Sequence, residues 1–183
     1  MNKITIRKCK NKLEKLQVIY LIDHLIGKIN ENNPRKTPIK NIYVVCLDSK
    51  IIGGGIISCK NELKYDDYCW VIDYIDSEEN LDKTGYIEFI VVDSSYQAKG
   101  VGDLLLKKLI DVLHKKQCDY IYAYIWAQSP GNASEKVFLK NNFKKQKIIH
   151  NAWESDFEFR CAKCKDNLCS CDCIIMLLKE GLT

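Results

Sequence analysis

The sequence predicts an α/β chain, and three observations predict it. A β-branched run, Glu88-Phe89-Ile90-Val91-Val92, leads through a short loop into an amphipathic helix from Asp103 to Lys116. Two further β-branched runs, Ile42 to Leu47 and Ile51 to Cys59, flank Asp48-Ser49-Lys50 as the arms of a hairpin would. Read end to end, the elements follow the order β-α-irregular-β-β-β-α-β-α-β-β, with no internal repeat and no low-complexity linker.

Ile4 to Cys9 alternates and reads as the first strand. Leu13, Leu16 and Tyr20, then Val18, Leu21, Ile22, Leu25, Ile26 and Ile29, recur at helical spacing and mark a long helix that ends before Asn32-Asn33-Pro34. Gly53-Gly54-Gly55 interrupts the strand after the hairpin, which points to a bulge or a close approach of another backbone. The charged and aromatic stretch from Lys60 to Thr84, with a ribbon at Tyr68 to Tyr74, is an elaboration between framework strands. A strand at Tyr86 to Val92 follows, then the helix whose apolar face is Val101, Leu104, Leu105, Leu109, Val112 and Leu113. Asp119 to Trp126 is the next strand, Ala133 to Asn142 a short helix, and Lys147 to Trp153 and Cys173 to Leu178 a closing pair of strands.

At 183 residues, 46% hydrophobic and 28% charged, the whole chain, 1–183, has the balance of a single domain with an adequate core. Its net charge of +4 is spread along the chain, which suits an anionic cofactor and argues against nucleic acid. There is no apolar signal core after Met1 and no stretch of membrane-spanning length, so the expectation is a cytoplasmic protein with no membrane partner. Monomer and homodimer both stay open.

Gly100 and Gly102 open a helix whose first N–H groups have no intrahelical acceptors, so phosphates can approach them closely; a tight connection is the other reading of such a pair. A dinucleotide fold would want a third glycine and an acid about twenty residues on, and the Walker Gly-Lys-Ser/Thr is missing. The pattern Gln97-x-x-Gly100-x-Gly102 after a strand resembles the acyl-CoA loop of the GNAT superfamily of N-acetyltransferases, usually Gln/Arg-x-x-Gly-x-Gly/Ala. Gly131 to Phe143 is similar to the family's second cofactor segment, with Phe138 where a tyrosine is usual and Asn142 where glycine is usual.

That resemblance implies a central mixed, mainly antiparallel sheet flanked by helices. In it the strands Tyr86 to Val92 and Tyr120 to Trp126 are parallel but splayed, and the pantetheine arm of acetyl-CoA enters between them. It assigns backbone contacts to Phe89, Ile90, Val91 and Val92, and the diphosphate to Gln97, Ala98, Lys99, Gly100, Val101 and Gly102. Asp103 in the first turn favours the helix dipole but has the sign of a diphosphate, with Lys99 to offset it. Asn132 and Ser134 are candidates for pantetheine or diphosphate, and equally for capping their helix.

Acetyl transfer to a primary amine needs a group that takes the amine's proton, because a lysine-like amine with a reference pKa of about 10.4 is mostly charged at neutral pH. Glu88 is the candidate base, with a side-chain parity shared by Tyr86 and Ile90; a salt-bridged strand-end charge is the other reading. A backbone N–H near Ile90 or Val91 would polarise the thioester carbonyl. Phe138 cannot protonate a thiolate, so either Tyr124 or Ser134 is the donor, or the thiolate leaves to water. The acceptor, an amine-bearing small molecule or protein, is left open, with Glu62 to Thr84 and Trp153 to Arg160 as the variable acceptor-binding parts. Tyr65, Asp66, Asp67, Tyr68, Asp73 and Asp76 would suit a cationic amine there.

Of ten cysteines, Cys9, Cys46, Cys59, Cys69 and Cys118 read as small buried hydrophobes. Cys161, Cys164, Cys169, Cys171 and Cys173 fall into one segment, 161–173, between the last two strands. The first four have the makings of a structural zinc site, with free thiols or a redox pair as the other reading. Two further functions remain beside acetyl transfer: a non-catalytic acyl-CoA-binding module, suggested by Phe138, and a zinc-stabilised protein-interaction domain.

Overall fold

The structure, a computed structural model, describes residues 3–28, 37–59, 83–154, 160–165 and 168–179. A seven-stranded mixed sheet, in the order β1-β3-β4-β5-β6-β9-β7, carries the chain. Its strands are β1 (Ile4–Lys8), β3 (Ile42–Leu47), β4 (Lys50–Cys59), β5 (Thr84–Val92), β6 (Tyr120–Trp126), β7 (Lys144–Ile149) and β9 (Cys173–Lys179). A separate two-stranded ribbon pairs β2 (Gly27–Lys28) with β8 (Arg160–Cys161). Among the described residues three α-helices flank the sheet: α1 (Lys12–Leu25), α2 (Val101–Lys115) and α3 (Ala133–Lys140). The expected ribbon at Tyr68 to Tyr74 and most of the Lys60 to Thr84 elaboration lie outside the described residues.

Helix α1 starts where Asn11 accepts the N–H of Glu14 at 3.0 Å, and Glu14 reaches back to the N–H of Lys10 at 2.8 Å. Arg7 grips the same carboxylate with both guanidinium nitrogens at 2.8 Å, tying β1 to the helix. The helix is shorter than its periodicity predicts. It stops at Leu25 because Gly27, at φ 151°, leaves the helical region and turns the backbone into pairing with Cys161. Of the two apolar sets, Val18 and Ile22 are buried, as is Ile19 from neither set, while Leu13, Leu16 and Tyr20 are 67%, 45% and 66% exposed and belong to no core among the described residues.

The glycine triplet in β4 marks both a bulge and a close approach. Val45 pairs with Gly53 and Cys46 with Ile51, so Ile52 is the extra residue. A Cβ on Gly54 would lie 2.6 Å from Val18 of α1, and one on Gly55 would lie 2.6 Å from Leu109 of α2. Both helices therefore lie close against opposite faces of one strand. Helix α2 buries Val101, Leu105, Leu106, Leu109 and Leu113; Leu106 replaces Leu104, which is 48% exposed.

The closing strands differ from expectation in one place. β7 is Lys144–Ile149 rather than Lys147 to Trp153, because its lysines project from an edge strand whose backbone pairs with the buried β9. β9 sits between β6 and β7 and pairs antiparallel with both. Helix α3 ends at Lys140, and Asn142 adopts φ 65° just beyond it, a conformation asparagine tolerates and glycine usually fills. Cys9, Cys46 and Cys118 are buried as expected of small hydrophobes, and Cys59 is half-buried. Among the described residues no helix is long and apolar enough to cross a membrane.

Candidate functional site

Strands β5 and β6 begin side by side and then part. Their parallel pairing runs from Thr84↔Tyr120 to Ile87↔Ala123 and stops there. The departure coincides with a bulge: Ile57 of β4 pairs with Ile87 and Ile56 with Phe89, which leaves Glu88 as the inserted residue. The insertion changes the alternation of β5. Tyr86 and Phe89 now pack on the α1 side of the sheet, whereas Ile87, Ile90 and Val92 join the α2 core. The parity that Glu88 was expected to share with Tyr86 and Ile90 does not hold, since those two residues lie on opposite faces.

The gap opens into a cavity of about 650 Å³ lined from both faces of the sheet. On the α2 side its wall includes Gln97, Gly100, Gly102, Val137 and Phe138; on the α1 side it includes Leu25, Ile26, Trp126, Trp153, Cys161 and Cys171. Glu88, Phe89, Ile90, Val91, Val92 and Tyr124 lie between these ends.

At the α2 end, Gly100 caps the helix in the left-handed region at φ 79°, and neither Gly100 nor Gly102 has an atom within 4 Å of where a Cβ would stand. The helix N-terminus thus faces open space, as an anion cradle requires. Gln97 donates its side-chain amide to the Val92 carbonyl at 2.8 Å, fixing the loop to the end of β5. Asp103 is held by Lys140 at 2.8 Å, Asn141 at 2.8 Å and Lys107 at 3.1 Å. These bonds, led by that from Lys140, hold its carboxyl far below the usual range. Asp103 therefore straps α2 to the end of α3, and the two lysines leave the mouth cationic. Lys99 is not among its hydrogen-bond partners; its ammonium binds the Ser95 carbonyl at 2.9 Å.

Tyr124 is half-buried, with its hydroxyl shielded from solvent, and lines the cavity with Glu88. Burial first, with Tyr86, Cys173, Tyr122 and Glu88 adding, pushes its phenol well above the ordinary value, so it holds its proton throughout the neutral range. Phe138 is buried edge-on against Phe143, with ring centroids 4.9 Å apart. Ser134 lines the cavity, and its N–H is capped by Ser129 at 3.3 Å rather than by Asn132, whose side chain makes no cap. Ala98 and Asp103 line the wall; Lys99, Val101 and Asn132 do not, and Val101 is core.

The cysteine segment closes the α1 end. The sulfurs of Cys161, Cys164, Cys169 and Cys171 all lie within 4.8 Å of one another, with Cys161 and Cys171 3.8 Å apart and Cys164 and Cys171 3.6 Å apart. Four thiolates at about 2.3 Å from a tetrahedral zinc would be about 3.8 Å apart, so the donors fit that ion. Cys173 lies in β9, where burial pushes its thiol up to about 12, apart from the group of four. Sequence reasoning placed this cluster in a terminal hairpin and missed that β8 pairs with β2 and that two of its cysteines, Cys161 and Cys171, line the cavity. It also missed Leu25, Ile26, Trp126 and Ser129; only Ser129, just before Pro130-Gly131, carries a local signal, that of a helix cap. Tyr65, Asp66, Asp67, Tyr68, Asp73 and Asp76 lie outside the described residues.

Residues 18–143 match the Acetyltransferase (GNAT) family. Among solved structures, a chain of the NatC complex bound to Gag peptide and CoA superposes with a TM-score of 0.70 at 16% identity, over 97% of this chain and 98% of that one. The ribosomal-protein-S18-alanine N-acetyltransferase from Escherichia coli gives 0.66 at 16%, covering 99% of both chains. A Bacillus subtilis acetyltransferase in complex with CoA gives 0.65 at 16%, over 98% and 99%. At such identities the likeness is one of fold.

Proposed function

The chain belongs to the GNAT acetyltransferase family, and from that premise we propose that it transfers an acetyl group from acetyl-CoA to a primary amine by direct attack in a ternary complex. The observation that carries the reading is the gap beyond Ile87 and Ala123, which has an inserted carboxylate at its root and an open, glycine-lined helix start at its α2 end. When bound, acetyl-CoA supplies the activated thioester. The residues that would hold it are Gln97, Ala98, Gly100, Gly102 and Ser134, with the free edge of Phe89 to Val92 and the face of Phe138.

Glu88 accepts the proton of the incoming amine, directly or through one water. Tyr124, which keeps its proton, is the donor on the other side of the reaction and takes the part that Phe138 cannot. A backbone N–H of β5 beyond Ile87, on the edge that β6 no longer covers, would stabilise developing negative charge. The apolar α1 end, with Leu25, Ile26, Trp126 and Trp153, would exclude water and take the body of the acceptor. One neighbour is a protein-alanine N-acetyltransferase and another holds a peptide, so peptides with free amino termini are the first acceptors to assay. The four clustered thiolates would hold a structural zinc ion with no open coordination position, as suits a reducing cytoplasm.

Calorimetric titration with acetyl-CoA and thiol release across a panel of amines and peptides test the reading. Binding with amine-dependent release is expected. Binding without release for any acceptor would favour a non-catalytic acyl-CoA module, and no binding would end the proposal.

A further inference from the structure

We infer that the tetrathiolate centre is the acceptor-side wall of the catalytic cavity, so that metal binding builds the acceptor half of the site while the cofactor half stands without it. This rests on the zinc and acetyl-transfer readings above and extends them to a division of the site.

Three segments from different parts of the chain meet at the cluster. The end of α1 is joined through β2, where Gly27 pairs with Cys161 and the Ala162 N–H donates to the Ile26 carbonyl at 3.0 Å. The loop after β7 is joined by the Ala152 N–H, which donates to the Cys171 carbonyl at 3.0 Å, and by His150, 3.2 Å from Asp172. The end of β6 is joined where the Ala127 N–H donates to the Asp172 carbonyl at 3.0 Å and the Asp172 N–H donates to Gln128 at 2.9 Å. Trp126, Trp153 and Cys164 pack against the buried sulfurs of Cys161, Cys169 and Cys171. Leu25, Ile26, Trp126 and Trp153, which form the acceptor-side lining, are thus each bonded to, adjacent to or packed on the cysteine segment.

Leu25 and Ile26 also pack on the core under α1 and Trp126 pairs with Cys173 in the sheet, but among the described residues the regular structure that closes this end is slight. β2 and β8 are two residues each, and a ribbon of that size is not stable alone in water. Closing four thiolates on one ion supplies the missing constraint, since metal-binding free energy becomes folding free energy of the loop. The cofactor half meets these groups where the Ser129 N–H donates to the Trp126 carbonyl at 3.2 Å, and its other anchors lie apart from them. Gln97 is fixed by Val92, Asp103 by Lys140 and Asn141, and Val101, Leu105 and Phe138 belong to the core on the α2 side.

The test compares the full chain loaded with zinc against the same chain stripped by excess chelator under thiol reductant, then reloaded with zinc. One zinc per chain is expected by elemental analysis. Stripping should speed amide hydrogen exchange at Gly27, Lys28, Ala152 and Ala162 by about tenfold or more and leave that of α2 unchanged. It should shift the fluorescence of Trp126 and Trp153 and change the acetyl-CoA Kd by less than about threefold. Reloading should reverse each effect. Cys164 does not line the cavity, so Cys164→Ser should reproduce the stripped pattern with the wall atoms of Cys161 and Cys171 intact; should that variant fail to fold, the chelated wild type carries the test. Zinc bound stoichiometrically with no exchange effect, or with both halves loosened alike, would overturn the inference and leave the metal site standing. A chain that binds no zinc overturns the metal reading and this inference together. Failure of acetyl-CoA to bind the zinc-loaded chain overturns the transfer reading, and this inference with it, in the calorimeter rather than in the exchange pattern.

Discussion

The two ends of the cavity are made in different ways. The α2 end is largely backbone: a strand edge, two glycines and the N-terminus of one helix, contiguous from Phe89 to Gly102, with Ser134, Val137 and Phe138 of α3 beside them. The α1 end is side chains, brought by α1, β6, the loop after β7 and the cysteine segment. Recognition of a shared cofactor by contiguous backbone leaves a local pattern in sequence; recognition of an acceptor by converging side chains leaves none.

The sharpest way to break this division is at its centre. Glu88→Gln should lower turnover by about 10²–10⁴-fold near neutral pH, with acetyl-CoA affinity little changed. The deficit should shrink as pH rises and more of the amine is already neutral; a rate loss that is flat with pH would remove Glu88 as the base. The cofactor end comes next. Gly102→Val has room for its side chain in the folded protein, unlike a substitution at Gly100, where the positive φ adds strain. It should weaken acetyl-CoA binding about a hundredfold, roughly 2.7 kcal/mol, and abolish the rise in Tm that the ligand gives the wild type. Equal affinity in a folded variant would mean that the helix start is not the cradle.

A smaller effect separates the two readings of the proton donor. Tyr124→Phe should reduce kcat about tenfold or more without altering the acetyl-CoA Kd, and an unchanged kcat would assign the donor elsewhere or make another step slow. The smallest effect lies outside the cavity, at the joint of β1 and α1. The Arg7 hydrogen bonds lower the Glu14 carboxyl from 4.5 to about 2. Because the folded value is depressed, its contribution to stability is full above pH 4.5 and fades as pH falls toward 2. With Arg7 a third exposed, Glu14→Gln should cost about 1 kcal/mol in denaturant melts at pH 7 and less at pH 3.

Much of the framework is legible because its signals are short-range. The Gln97 to Gly102 loop, the hairpin at Asp48 and the apolar face of α2 each declare themselves within a dozen residues. What escapes does so for physical reasons. Lys144 and Lys145 carry no strand alternation, and β7 is a strand because β9 offers it a partner. Ile26 looks like another turn of helix until Gly27 pairs with Cys161 from the far end of the chain. The thiol cluster is plain as composition, but its meeting with Trp126 and Trp153 is a tertiary event.

The inserted residue in β5 also restricts where an acid can be on this strand. A carboxylate moved one position back would replace Ile87, 2% exposed in the core beneath α2, and would carry an uncompensated charge into that core. Moved one position on, it would replace Phe89, which packs with the cluster under α1. Position 88 is neither. As the residue inserted at the bulge, it has left the sheet's two-sided alternation. A mutational walk of glutamate along β5 should therefore recover function at a single position instead of at every second one, and deletion of that position should join the strand's two halves into one register and remove acid and gap together.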